Sequence, residues 1–142
     1  MKLSYTSSIT RYENSYPSLS VFFMSASPKE SDRESFHAKA EGDFRGKKTA
    51  FSVIYKEEDG TGASLIYEDD TLIFARGGTK AEFKLSKSTA FSYASELGEL
   101  AVSAYTERLD VKEKEGMILL SLTYYMHVSD MVQKTVMKWK LF

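Results

Sequence analysis

Apolar and polar residues alternate along most of this chain, and the alternation predicts β-strands. In "SFHAKAEGDFR", Phe36, Ala38, Ala40, Gly42 and Phe44 share one face; His37, Lys39, Glu41, Asp43 and Arg45 share the other. A period of two turns the first set to a core and the second to water. Gly46 is read as a turn, after which Phe51, Val53 and Tyr55 repeat the pattern. "ASLIYE", "TLIFAR", "AEFKLS" and "TAFSYA" continue it, separated by "EEDGTG", "DD" and "RGGTK", which are turns by composition. Leu100, Val102, Ala104 and Thr106 form the inner face of the next strand. Ile118, Leu120, Leu122, Tyr124, Met126 and Val128 follow, then Met131, Met137, Trp139 and Leu141. "SLSVFFMSAS" is apolar on both faces and is read as a strand covered on both sides.

The expectation is about eight to ten strands in meander order, with no helix. A sheet of that many strands curls and closes, because closure removes its edges. An antiparallel up-and-down β-barrel is the economical solution. One domain spans 1–142, with the polar residues 1–15 as an N-terminal extension or an edge strand.

Composition changes this picture mainly by exclusion. Nineteen basic and twenty acidic residues give a net charge of −1, which argues against a phosphate-neutralising nucleic-acid binder. The absence of cysteine removes disulfides, thiolate chemistry and Cys-based metal sites. No cofactor is expected. No window is long and apolar enough to cross a membrane, and no signal-like segment opens the chain, so a cytoplasmic protein is the expectation.

The order of features in "GTGASLIYEDDTLIFARGG" and "YASELGELAVSAYTERLDVKEKEGMILLSLTYYMHV" resembles the YwiB-like bacterial proteins, a domain family of unknown function. The likeness runs from about Ser18 to the C-terminus. It implies a calycin, or lipocalin-like, barrel, and it supplies no catalytic residues. The chain departs from the family at Glu96-Leu97-Gly98, where the family tends to have a Pro-aromatic-Gly turn. The Gly-x-Trp of secreted lipocalins is absent, as is the Arg-x-Tyr carboxylate clamp of intracellular fatty-acid binders; Lys138-Trp139-Lys140 stands in that region.

Candidate chemistry is sparse. His127 shares a face with Ser121, Thr123 and Tyr125, opposite the apolar row, and reads as outer strand surface; His37 reads the same way. Alternation through Leu72 and Phe74 turns Arg76 inward, as the one basic group of the interior rows. A buried guanidinium needs a partner, so Arg76 is either a ligand anchor at the barrel mouth or a rim residue reaching water or an acid. Tyr55, Tyr67, Tyr93 and Tyr124 face inward and either line a pocket or fill the core. Lys80, Lys84, Lys134, Lys138 and Lys140 form a solvated outer stripe.

Two functions fit. The first is non-enzymatic binding of a small, mostly apolar molecule inside the barrel, through Arg76, Tyr55, Tyr67, Tyr93 and Tyr124. The second is a protein-interaction module, a candidate homodimer with a fully packed barrel, which uses Tyr105, Tyr125 and the "VFFM" segment. Neither involves nucleic acid, a membrane or a metal.

Overall fold

The computed structural model describes residues 1–13, 15–95, 98–128 and 130–142, with side chains at all of these except 93–95 and 100. Ten antiparallel strands form one sheet: β1 (Lys2–Tyr12), β2 (Glu30–Lys47), β3 (Ala50–Lys56), β4 (Gly62–Glu68), β5 (Thr71–Arg76), β6 (Thr79–Lys84), β7 (Ser88–Ser95), β8 (Gly98–Lys114), β9 (Met117–Val128) and β10 (Met131–Leu141). The strand order is β6-β5-β4-β3-β2-β1-β10-β9-β8-β7. Every consecutive pair in the chain is adjacent except β6 and β7, and β1 lies against β10. The result is a nearly closed, lipocalin-like barrel.

The terminal strands join the two halves of this sheet at its centre. Lys2 and Phe142 exchange both backbone hydrogen bonds, at 2.7 and 2.9 Å, and β1 pairs with β10 from Leu3 to Arg11. Residues 2–12 therefore form a central strand, not the extension or edge strand expected from their polarity. The sheet edges fall in mid-chain instead. β6 and β7 touch without a ladder, and the turn between them docks on β8: Ser86 N donates to Thr106 O and Thr106 N to Lys87 O. A bulge at Glu107 flips the side-chain parity of β8, so Val102, Ala104 and Thr106 point inward before it and Leu109 after it.

The inward rows are those the alternation predicts, where side chains are described. Val53, Leu65, Leu72, Leu120 and Leu141 are fully buried, with Trp139 among them. Small residues on β2 make room for large ones. Ala38 lies opposite Tyr5 in register, and Tyr5 reaches Trp139 at 6.4 Å between ring centres. A side chain at Gly42 would press on Val53 at 2.9 Å. Gly46 is not the turn itself, which is Lys48-Thr49; it is a strand residue at φ 111°, where any Cβ would strike the Ala50 carbonyl. The expected inward positions of Tyr93 and Leu100, and the turn at Glu96-Leu97, lie outside the described residues.

The segment "SLSVFFMSAS" corrects the sequence reading. Leu19–Met24 is a short helix, α1, not a doubly apolar strand. The Ser18 side chain caps it by accepting from Val21 N at 3.2 Å. A six-residue apolar run carries no clear period, and the Pro17-Ser18 start signal decides its form. Phe22 sits edge-on to Tyr16 at 5.1 Å and lies 5.8 Å from Tyr125, so α1 roofs the outer face of β9 and β10. Tyr16, Phe22, Tyr125 and Val132 make a second core outside the barrel. Tyr125, expected on the exposed surface, is therefore buried, and Tyr105 is half-covered by Phe23.

Candidate functional site

The barrel is filled in one half and hollow in the other. Trp139, with Phe74 at 5.7 Å and Tyr5, divides the two. Beyond it lies a cavity of about 850 Å³. The fully packed interior of the interaction-module reading is thus met in one half only. Phe36, Phe74, Phe83 and Phe91 supply much of the cavity's apolar lining, together with Met126 and Met137. The mouth exists because β2 is longer than its neighbour: residues 30–41 pair with β1, and only 42–47 pair with β3. Phe36 faces inward at this mouth, against Tyr5 at 5.8 Å, yet is 52% exposed.

Arg76 ends β5, just before the Gly77-Gly78 turn, and its guanidinium reaches Glu57 with two hydrogen bonds. Nε donates to Oε1 at 2.8 Å and Nη2 to Oε2 at 2.7 Å. The Tyr5 hydroxyl donates to the same carboxylate at 2.9 Å. Glu57 is held by a tight loop in which its N–H donates to Thr61 O and its carbonyl accepts from Gly60 N. Asp59 accepts from Thr61 N across the same loop. The Glu57 side chain is 5% exposed and that of Arg76 48%. The Arg76 hydrogen bonds hold the Glu57 carboxyl below the usual carboxylate range, against the opposing effect of burial. Burial, then the Glu57 contact, pushes the Tyr5 phenol well up.

Arg76 is not the one interior cation. Arg11 lines the same cavity and bridges Glu34 at 2.8 Å and Asp32 at 3.3 Å, both on β2. β1 also contributes Ser7 and Ile9 to the wall, and β10 contributes Gln133 and Thr135. Two signals for these residues stand in the sequence. Glu57 continues the inward row Phe51, Val53, Tyr55, and Gln133 and Thr135 lie in the row Met131 to Leu141. Polar members of an apolar row are easily passed over.

The predicted tyrosines separate. Tyr124 lines the cavity with Arg76, and its ring lies 4.6 Å from that of Phe83. Tyr55 sits beneath the cavity floor; burial lifts its pKa to about 12, opposed by the nearby Trp139 N–H. Those two groups influence each other without meeting hydrogen-bond geometry. Tyr67 stacks on Phe51, which stacks on Phe44, at 5.5 and 5.4 Å, in the filled half. Among the described residues, four buried polar atoms have no hydrogen-bond partner: the hydroxyls of Tyr55, Thr106 and Thr135 and the Trp139 N–H. Of the four residues, only Thr135 is on the cavity wall, and it is 2% exposed.

His127 lies on the outer face, as expected, but is partly covered. Its Nε2–H donates to the Tyr16 carbonyl, and Asp130 lies 3.9 Å from the same nitrogen. A triad histidine needs its acid on the opposite nitrogen from its nucleophile, and this geometry does not provide that. His127 instead ties down the segment that carries α1. His127→Ala is expected to cost about 1 kcal/mol in urea unfolding, the value of one hydrogen bond. Faster proteolysis between residues 15 and 29 should accompany it. An unchanged cleavage rate would remove this role. The lysine stripe divides in space: Lys80 and Lys84 lie on β6, and Lys134, Lys138 and Lys140 on β10. Lys134 sits 5.7 Å above the Tyr125 ring. The described residues contain no cluster of metal-ligating side chains, and no helix long and apolar enough to cross a membrane.

Comparison with known proteins gives a family and a fold. No curated protein matches the chain. A crystal structure of the ywiB protein from Bacillus subtilis is similar, with a TM-score of 0.58 over 97% of this chain and 91% of that one. At 16% identity this likeness concerns the fold alone. A family profile described as a domain of unknown function, DUF1934, matches residues 23–138, and the chain belongs to that family.

Proposed function

We propose that this protein is a non-enzymatic binder of a small, mostly apolar molecule, held in the open half of the barrel. The observation that carries this reading is the cavity itself. Its volume of about 850 Å³ falls within the ~300–1,000 Å³ usual for ligand pockets. Its wall is apolar over most of its extent, with polar groups that include Thr135, Gln133, Tyr124, Ser7 and the two paired arginines, Arg11 and Arg76. A largely apolar chamber with a handful of orienting polar atoms is how small-molecule sites are commonly built. A cytoplasmic setting accords with a chain that has no cysteine. Nothing in the reading calls for a membrane or nucleic acid.

Native mass spectrometry of protein purified from cells tests it. The expected spectrum carries a small-molecule adduct that disappears on denaturation. Ser7→Trp, which projects an indole into the chamber, should lose the adduct and the saturable fluorescence of N-phenyl-1-naphthylamine while keeping its thermal midpoint. A wild-type protein with neither adduct nor saturable probe binding would defeat the proposal.

A second reading, the interaction module, draws on the outer face of β3 and β4. Ile54 and Ile66 are 64% and 46% exposed there, and Ile66 pairs with Ile73. The same spectrum would favour it by showing an adduct-free dimer.

A further inference from the structure

Two arginines line the cavity, an arrangement that at first suggests a site for carboxylates. The pairing of their charges points the other way. Arg76 is taken up by Glu57 through two hydrogen bonds, and Arg11 by Glu34 and Asp32. Among the described residues, these two are the only charged side chains on the wall. Counting the three acids that hold them, two positive and three negative charges leave −1. An incoming anion finds no unpaired cation, and it meets a slight excess of carboxylate at the mouth. An incoming ammonium finds no free carboxylate either, because each of the three is already bound by a guanidinium. Deeper in, the wall is mainly Phe, Met and Tyr with neutral polar side chains among them, and an unpaired ion of either sign would be desolvated there without a countercharge.

Two neutral hydroxyls, those of Tyr124 and Thr135, stand in that wall. Thr135 is almost completely buried and faces the chamber from β10, opposite Tyr124 in register, and the hydroxyls of the two influence each other. Neutral hydroxyls exchange hydrogen bonds with a ligand's hydroxyl, carbonyl or amide and offer no countercharge to an ion. From this we infer, resting on the ligand-binding reading above, that the barrel selects uncharged molecules: an apolar body with one neutral hydrogen-bonding end directed at the Tyr124 and Thr135 hydroxyls. The ion pairs at the mouth act as a charge filter against fatty acids and lipophilic amines alike.

Dodecanol, dodecanoate and dodecylammonium share one chain and differ in charge. Their competition against N-phenyl-1-naphthylamine at neutral pH separates the cases. Dodecanol should displace the probe at least about tenfold more effectively than either ion, as expected for burying an uncompensated charge. Thr135→Val keeps the shape and removes the hydroxyl, and should narrow dodecanol's advantage. Glu57→Gln unpairs the Arg76 charge while keeping a hydrogen-bond acceptor, and should improve dodecanoate alone by about tenfold. Displacement by dodecanoate or dodecylammonium equal to dodecanol in the wild type would overturn the filter while leaving barrel binding intact. If the probe itself does not bind, both readings fall.

Discussion

Replacing Arg76 with leucine should destabilise the protein by about 3 kcal/mol at pH 7, whereas Glu57→Gln should cost only about 1 kcal/mol. The asymmetry follows from exposure. The Arg76 side chain is half in water and that of Glu57 is almost wholly out of it. Removing the acid's charge leaves a guanidinium that is already half in water where it stands and needs no countercharge to stay there. Removing the guanidinium strands a carboxylate whose one remaining side-chain donor is Tyr5. The upper end of the usual range for a broken buried pair, ~5 kcal/mol, is discounted because Arg76 is screened by solvent. A pH dependence distinguishes this cause from lost packing. In the wild type the Glu57 pKa is depressed, so its stabilisation is complete above the ordinary value of 4.5 and is lost as pH falls through the lower native value. In Arg76→Leu the same carboxyl is raised by desolvation, and the folded state gains relative stability as it takes up a proton. The gap between the two proteins should therefore close as pH is lowered from 7 toward 4. Urea midpoints followed by circular dichroism at several pH values would show it. A gap that stays constant with pH would mean that Arg76 acts through its methylenes and not its charge.

Much of this fold was legible because a period of two is a direct physical record of which face is wet. Rows such as Val53–Tyr55 and Leu120–Leu122 need only be read out, and closure follows from their number. The record fails where polarity and position disagree. β1 reads Leu3, Tyr5, Ser7, Ile9, Arg11 on its inner face; that row looks half solvated because its far end lines a hollow with a paired arginine. The same effect hid Glu57, Gln133 and Thr135. A polar residue on an inner row marks a cavity or a buried pair, and distinguishing those needs the partner strand. Alternation also says nothing about packing on the outside. Thr123, Tyr125 and Val132 belong to the outer rows, and all three are buried, with α1 and Tyr16 packed over Tyr125 and Val132. No local signal connects a segment near residue 20 with strands a hundred residues later. Arg76 itself was placed correctly by parity, and its acid lay nineteen residues upstream in what reads as an ordinary turn.

Trp139→Ala should be the most damaging single change, at about 4 kcal/mol, within the ~3–5 kcal/mol typical for truncating a buried aromatic. Trp139 is 1% exposed and stands where the filled half of the barrel meets the hollow half, between Tyr5 and Phe74. β-strands on every side fix the walls, so the space left by an indole cannot collapse, and it adds directly to the cavity above. The damage should come from lost volume and not from a lost hydrogen bond, because the indole N–H has no partner. Trp139→Phe separates the two contributions. It removes an unsatisfied donor, which offsets part of the lost packing, and its cost should stay below about 1.5 kcal/mol. Circular dichroism is the suitable probe, since Trp139 is the chain's one tryptophan. Trp139→Phe should keep saturable N-phenyl-1-naphthylamine binding, because the floor remains. Trp139→Ala, where enough folded protein survives, should accept longer alcohols than the wild type, because its chamber extends downward toward Leu120 and Leu141. Equal losses in the two variants would instead assign the stability to the indole N–H, and the division of this barrel into a solid half and a hollow half would lose its energetic basis.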